Sequence, residues 1–544
     1  MSNLVIPGVS IRVVKDVVTP QLSPSGVLGL VGLVERGSAT GRAASWNAFV
    51  GAFGLGSAYS LADARQALEN GVTELVVVPV DAGTASSAKV SLDAPGRPNE
   101  PVLTLGARAP GPWANDLRVF TSLRRRGDEI VSFDLEIKNS QGEVLERHPR
   151  LQMLPGFPRS VETVLNEQSA RLRVDGSVTL RVNVVDKAVA DGDAAVVLVG
   201  AGVHQALALY AIPGGPKLEV SLSASHELTV RKEGKLGWET VLQRSFSLPA
   251  QIGALVAAVE ELGIVDVVLA PWPAGDGALS GGGDASLEAY KDAINKLAEQ
   301  PDVDLVIAAV QDQSDERMRR GVYSAVIAHC ERMASDAKGR VGFGEMLAGA
   351  SAGAATAFGE SLRSDRFVLV APQGLLGAVA GRVGSLAYFE SPTFKTLAGV
   401  GAPARALTHE EQTQLLQGAL VPVVVERGRG LVVVKGITTD ADQISVRRVA
   451  DRAVRGVKVI GDQFIGRLNN VEGRAALRQK LHELLLRMEK EGALVPSTDG
   501  TSPAFSVDVY STQLDFEQGI VQVEIAVRPV RAIDYIYTTL RVQV

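Results

Sequence analysis

Any covalent chemistry in this chain would have to come from a short set of residues. Residues 279–284, Leu-Ser-Gly-Gly-Gly-Asp, form a glycine-rich loop ahead of a helix that begins near Ser286. Such a loop can cradle a phosphate, because the free amides of a helix N-terminus attract anions. It lacks the Lys-Ser/Thr pair of a nucleoside-triphosphate loop and the spacing of a dinucleotide fingerprint, as do Gly342, Gly344 and Gly349. A tight turn with Asp284 beside the helix N-cap accounts for it without a ligand.

The six histidines, His148, His204, His226, His329, His409 and His482, are scattered, with no HExxH or Cys/His cluster at metal-ligand spacing. His329 and Cys330 are adjacent, but neighbours on a helix point about 100° apart, and Cys330 falls on the apolar side with Val326 and Met333. It is read as a core cysteine, and no nucleophile elbow of a serine hydrolase is read from the chain. The sequence therefore assigns no catalytic, cofactor-binding or metal-binding residue, and the chain is expected to be neither an enzyme nor a cofactor carrier.

One charged feature rises above the background. Between residues 441 and 490 there are eleven Lys/Arg against six Asp/Glu, in a chain whose formal net charge is -6. Leu477, Leu481, Leu484, Leu485 and Met488 form one apolar stripe of a helix over 474–491, which leaves the basic residues on its flanks and far side.

The elements that must position these residues are those of a folded, multidomain chain. Length alone gives a prior of three or four domains at roughly 150 residues each. The 544 residues are 46% hydrophobic and 21% charged, which indicates neither disorder nor a membrane protein. The acidic balance removes the global electrostatic case for nucleic acid, and a single cysteine allows no internal disulfide. No apolar run reaches the ~20 residues of a membrane span, and the N-terminus does not read as a signal peptide, so folding in a cytoplasm is expected.

Residues 4–15 read as a strand followed by a Pro-containing linker to residue 25, with no hairpin partner nearby. Near-continuous apolar strands at 27–34 and 75–80 flank helices near 46–53 and 61–70, the pattern of an α/β core. Period-2 segments at 117–122, 132–138 and 177–185 sit among turn residues and read as a β-rich insertion. Helix-strand alternation resumes at 250–263 and 265–270 and runs on through 287–300, 303–310, 315–333 and 367–371. Helices at 444–459 and 474–491 precede strands at 505–510, 520–528 and 536–544. The expected divisions are 1–25 (strand and linker), 26–93 (core), 94–248 (β-rich outer insertion), 249–400 (core) and 401–544 (C-terminal inner domain).

In this order the segments resemble the sheath proteins of contractile phage tails and related injection machines. The residues that carry the resemblance begin with Pro7-Gly8-Val9, then the block at 27–79 with Trp46, Phe49, Gly54 and Asn70-Gly71. Pro112-Trp113-Ala114-Asn115-Asp116-Leu117 is similar to the family's G.WGN.l stretch, with Ala114 replacing the usual Gly. Residues 279–284 and 302–306 follow, and the C-terminal part matches best, at 444–448, Phe464, Arg467, 492–494, 505–510 and 520–529.

The resemblance implies an α/β (α+β) multidomain subunit: a mixed α/β sheath core, a β-rich inserted outer domain, and terminal strands that pair with neighbouring subunits. It implies self-assembly into six-fold stacked rings and a helical sheath around an inner tube protein, with baseplate and tail terminator proteins as further partners. Nucleic acid, direct membrane insertion and cofactors have no part in it. Val9, Ile11, Val13, Ile536, Leu540 and Val542 are the candidate inter-subunit strand residues, and Arg447, Arg448, Arg452, Arg455, Arg478 and Arg487 the candidates facing the tube. Assembly is expected in the bacterial cytoplasm, as part of a phage tail or an extracellular injection particle, because one chain carries both terminal strands while type VI secretion sheaths divide them over two. A non-contractile tail or baseplate protein, and an α/β enzyme or ligand-binding protein, are the alternatives.

Overall fold

A computed structural model of the chain describes residues 25–538, apart from 95–96, 127–128, 152, 154–158, 177–187, 190–193, 199–205, 213–214, 224–226, 248–250, 270–272, 274, 313, 402 and 404. The proposed N-terminal strand and linker up to residue 24, the segment at 177–185 and residues 539–544 lie outside the described residues.

Five runs are buried at every position: β1 (Leu28–Gly32), β3 (Leu75–Pro79), β4 (Leu305–Ala308), β5 (Val341–Glu345) and β6 (Phe367–Ala371). Strands covered on both faces need no polar alternation, which is why these runs are almost wholly apolar. With β2 (Gly41–Ala43), β7 (Val421–Glu426) and β8 (Gly430–Val433) they form one sheet in the order β2-β3-β1-β4-β5-β6-β7-β8. The six inner strands are parallel, and the two edge strands run antiparallel to their neighbours.

The helices of this core are α1 (Trp46–Phe53), α2 (Asp63–Glu69), α3 (Leu287–Lys296), α4 (Glu316–Ser335), α5 (Ala352–Glu360), α6 (Leu376–Ser385) and α7 (His409–Gln417). Ser45, Ser286, Asp315, Ser351 and Thr408 start five of them, each accepting a backbone N–H three residues on. α1, α2 and α6 cover one face of the sheet, where Phe49, Ala64 and Val379 meet Leu30 and Val77. α3, α4, α5 and α7 cover the other, where Tyr290, Val326 and Phe358 meet Val31 and Val306.

Local sequence explains two close approaches. In α6, Gly377 and Gly381 lie against the backbone of α2, where an added Cβ would come within 2.4 Å of the Asp63 carbonyl and 2.6 Å of Ala67. Asn70-Gly71 ends α2: Gly71 has φ of 91°, and the Asn70 side chain bonds both the N–H and the carbonyl of Ala398.

Between β3 and α3 the chain builds β-rich layers. One sheet joins Gly275–Ala278, Arg118–Arg126, Glu129–Lys138 and Val144–Leu151; a second joins Lys89–Ala94, Arg97–Ala107 and Leu172–Val174. Both pack around Phe133, Leu135 and Leu105. Two expected boundaries move. Val265–Leu269 pairs antiparallel with Ala206–Ala211, and Gly275–Ala278 with Arg118–Arg126, so both belong with the insertion. The chain therefore rejoins the main sheet near α3 rather than at 249. Likewise β7 and β8, expected in the C-terminal domain, complete the main sheet. An apolar strand has the same pattern whichever partner it pairs with, so periodicity could not assign these strands.

Candidate functional site

The basic stretch folds as α8 (Ile444–Asp462) and α9 (Val471–Lys490), with a hairpin of β9 (Phe505–Tyr510) and β10 (Gln522–Val527) beyond them. Val449, Ala453 and Ile460 of α8 meet Leu477, Leu481, Leu484 and Met488 of α9, and Val507 of β9 closes the same cluster.

α8 lies across the N-terminal ends of the parallel strands and directs its arginines into them. Arg455 pairs with Asp304 at 2.5 Å and donates to the carbonyls of Gly339 (2.7 Å) and Val303 (2.9 Å), just ahead of β5 and β4. Arg447 pairs with Asp365 (2.8 Å) and Asp451 (3.2 Å), and Asp451 also takes both terminal nitrogens of Arg366 at 2.9 Å each. Arg448 is buried, donating to Val383 O at 2.8 Å in the last turn of α6 and to Leu386 O at 3.3 Å just past its end. A cation suits a helix C-terminus, where unsatisfied carbonyls concentrate partial negative charge. Burial lowers the Arg448 guanidinium to about 10 and lowers that of Arg452, which sits 5.6 Å over the Tyr388 ring.

This placement corrects the sequence expectation that Arg448 faces the tube. Arg448 has no surface to present, and Arg447, Arg452 and Arg455 are engaged within their own chain. Reversing charge at Arg448 therefore strikes the fold. On α9, Arg478 and Arg487 are exposed; Arg478 stands 3.6 Å from Asp508 with its side chain 60% open. The carboxylates that hold α8 were passed over because Asp304 and Asp365 lie far from it in sequence. The Arg447–Asp451 pair, four residues apart, was the one local signal.

The β9–β10 hairpin has no third strand among the described residues. A groove of about 450 Å³ runs between α9 and β9, lined by Arg478, His482, Pro496, Pro503 and residues 505–508. Beyond β10, Ala532 and Asp534 bond the Gln443 side chain at the start of α8, after which Ile536 is exposed and in no strand. Val9, Ile11, Val13, Leu540 and Val542 lie outside the described residues.

The residues weighed for chemistry take structural positions. Asp284 lies two residues ahead of Ser286, the cap of α3, and its carboxylate accepts the N–H groups of Gln311 and Asp312 and the Tyr290 hydroxyl. Cys330 is fully buried and its thiol is pushed up to about 12 by burial. Burial, Arg340 and Arg332 lower His329 to about 3, and its Nε2 accepts from Arg340 at 2.7 Å. A G-x-S-x-G spacing does occur, at Gly349-Ala350-Ser351-Ala352-Gly353, which the sequence reading passed over. Ser351 has φ of -69° and caps α5, without the strained turn that exposes a nucleophile. Among the described residues no helix is long and apolar enough to cross a membrane.

Against known proteins, residues 283–439 match the family model described as the phage tail sheath protein central domain. This is the span that runs from Gly283, ahead of α3, through β8. Among solved structures, the chain is similar to a sheath tail protein from Listeria innocua (12% identity, 94% of each chain covered, TM-score 0.45). It is similar also to one from Desulfitobacterium hafniense (13% identity, 96% of this chain and 100% of that one, TM-score 0.44). The sheath complex of an extracellular contractile injection system in its contracted state gives 18% identity over 48% of this chain and 77% of that one, with a TM-score of 0.40. No curated protein matches the chain.

Proposed function

We propose that this chain is the structural subunit of a contractile tail sheath, polymerising as six-fold stacked rings around an inner tube and shortening to drive that tube through a target envelope. The observation that carries the reading is the sheath central-domain match over residues 283–439, which build β4 to β8 and the strand starts to which α8 is fastened. The subunit does no covalent chemistry, and the work of contraction comes from contacts between rigid subunits.

Subunits are linked by strand addition. The terminal segments, with Val9, Ile11 and Val13 at one end and Ile536, Leu540 and Val542 at the other, each extend the β9–β10 sheet of a neighbouring copy. Two features support this. A two-stranded sheet is marginal alone and offers unpaired edges. Ile533, Tyr535, Ile536 and Tyr537 are also 67–95% exposed where the chain leaves the domain, an apolar run suited to a partner.

Negative-stain electron microscopy of the expressed chain tests the proposal: striated tubes are expected. Removing 536–544 or 1–19 is expected to leave a folded chain by circular dichroism that forms no sheath. Full-length sheaths from either truncated chain would end the strand-addition mechanism. Smooth tubes that never shorten would favour a non-contractile tail protein.

A further inference from the structure

The winding of the main sheet reverses between β1 and β4. From β1 the chain crosses one face to β3, and it re-enters across the other face to β4 on the far side of β1. In open parallel sheets the crevice outside the strand C-termini at such a point is where small molecules bind. Here that crevice holds about 230 Å³ and is lined by Tyr59, Asp63, Trp113, Gln311, Tyr323 and Glu345, with strand-end backbone between them. Neither the sheath reading nor the arginine contacts of α8 use it.

Its charges do not balance internally. Glu345 is matched: Oε1 takes Arg319 at 3.2 Å and Oε2 takes the Gly374 N–H at 2.5 Å. Arg319 in turn donates to the carbonyls of Val310 and Met346. Asp63 accepts the Gly377 N–H at 2.8 Å and has no ion pair among the described residues. Its carboxyl is pushed up to about 7, first by burial and then by the charge of Glu345. The wall is aromatic: Tyr59 and Trp113 stack at 5.2 Å, and the Arg171 guanidinium already rests 4.4 Å from the Tyr59 ring. Two carboxylates thus share the one guanidinium of Arg319, which is bonded to Glu345, and a carboxylate with no ion pair of its own beside electron-rich rings suits a donor-bearing cation.

We propose that this crevice binds a small organic cation whose ammonium or guanidinium group pairs with Asp63 against the Trp113–Tyr59 wall. Its volume is below the ~300 Å³ of drug-sized pockets, which limits the ligand to about the size of an amino-acid side chain. A metal ion is disfavoured, since no group of three or more His, Cys, Asp or Glu among the described residues converges to hold one. The cation is either a free amine or a Lys/Arg side chain of a neighbouring copy; only the second source rests on the sheath reading.

Asp63 is the group that titrates. The groups facing it are Glu345 on β5, Arg319 and Tyr323 on α4, and Tyr59 in the short helix Ser57–Ser60 ahead of α2, while α6 supplies Leu376 and the Gly377 amide. Burial raises the Tyr59 and Tyr323 phenols, so both stay neutral below pH 8, and Arg319 stays charged. An ammonium binds the ionised carboxylate and expels its proton. Affinity is therefore highest well above pH 7 and is lost as pH falls through the raised pKa of Asp63.

The test is calorimetry on the full, unassembled chain with putrescine and with methylguanidine. Binding at pH 8 is expected, and near pH 7 binding should release protons, read from two buffers of different ionisation enthalpy. Asp63→Asn should abolish both signals with the circular dichroism spectrum unchanged; Trp113→Leu should weaken binding about threefold to tenfold but keep the proton release. On assembled sheaths, probe binding as in the free subunit identifies a free amine as the ligand, and blocked binding identifies a neighbour's side chain. The proposal is overturned if wild type binds neither probe at about 10 mM, or if Asp63→Asn binds as wild type does.

Discussion

α8 and α9 are neighbours in sequence, similar in length and similarly basic, yet their arginines have opposite fates. α8 turns Arg447, Arg448 and Arg455 into loops that precede the parallel strands, where Val303, Gly339 and the end of α6 offer carbonyls that no strand or helix satisfies. α9 buries a leucine stripe and leaves Arg478 and Arg487 in solvent. The two cross closely at Gly456, where an added Cβ would lie 2.5 Å from Leu484. Basic character thus says little about function until the acceptors near each side chain are known: backbone at the N-terminal edge of a parallel sheet claims arginines as readily as a partner does.

The largest effect is expected at Arg448. Arg448→Met keeps the stem but leaves the Val383 and Leu386 carbonyls without their donor, at about 1–3 kcal/mol each. Hydrogen exchange should accelerate across α8 and the end of α6, with a lower melting temperature. A loss under about 0.5 kcal/mol would put Arg448 in the same class as the α9 arginines and dissolve the contrast.

Next comes Asp451, whose side chain and that of Arg366 are each 10% exposed. Asp451→Ala strands Arg366 and loosens Arg447, and about 3 kcal/mol of stability should go. Adding Arg366→Met should return much of that loss, because the buried charge is removed with its partner. If the second change instead adds its own full cost, the pair is not what holds α8 to the start of β6.

The two helices also mark how far sequence reading reaches. The α9 stripe of Leu477, Leu481, Leu484, Leu485 and Met488 was legible because one helix's periodicity encodes its own buried face. The runs at β1, β3 and β6 were legible for the same reason, as continuous apolar strands. The partners were not. Asp304 and Asp365 reach α8 only through the fold, Val265–Leu269 looks like a core strand until its pairing with Ala206–Ala211 is seen, and Asp63 and Glu345 meet from opposite sides of the insertion. Long-range pairing of polar groups leaves no local periodic trace.

The smallest effect on stability, and the sharpest on assembly, is expected on α9. Exposed charges contribute about 0–1 kcal/mol, so Arg478→Glu and Arg487→Glu should each melt within about a degree or two of wild type. Nine residues apart on a helix, the two side chains point roughly 180° away from each other. They cannot both face one surface. Arg478 lines the groove beside β9, where a neighbour's terminal strand is proposed to add, so its reversal should lower sheath yield even without tube protein. Arg487 lies on the other flank, so its reversal should leave sheath yield unchanged and weaken co-assembly with the tube. That co-assembly should also weaken in wild type as salt rises and the screening length falls below about 8 Å. Equal behaviour of the two variants in both assays would show that the flanks of α9 do not divide the work, and would remove Arg487 from the tube contact.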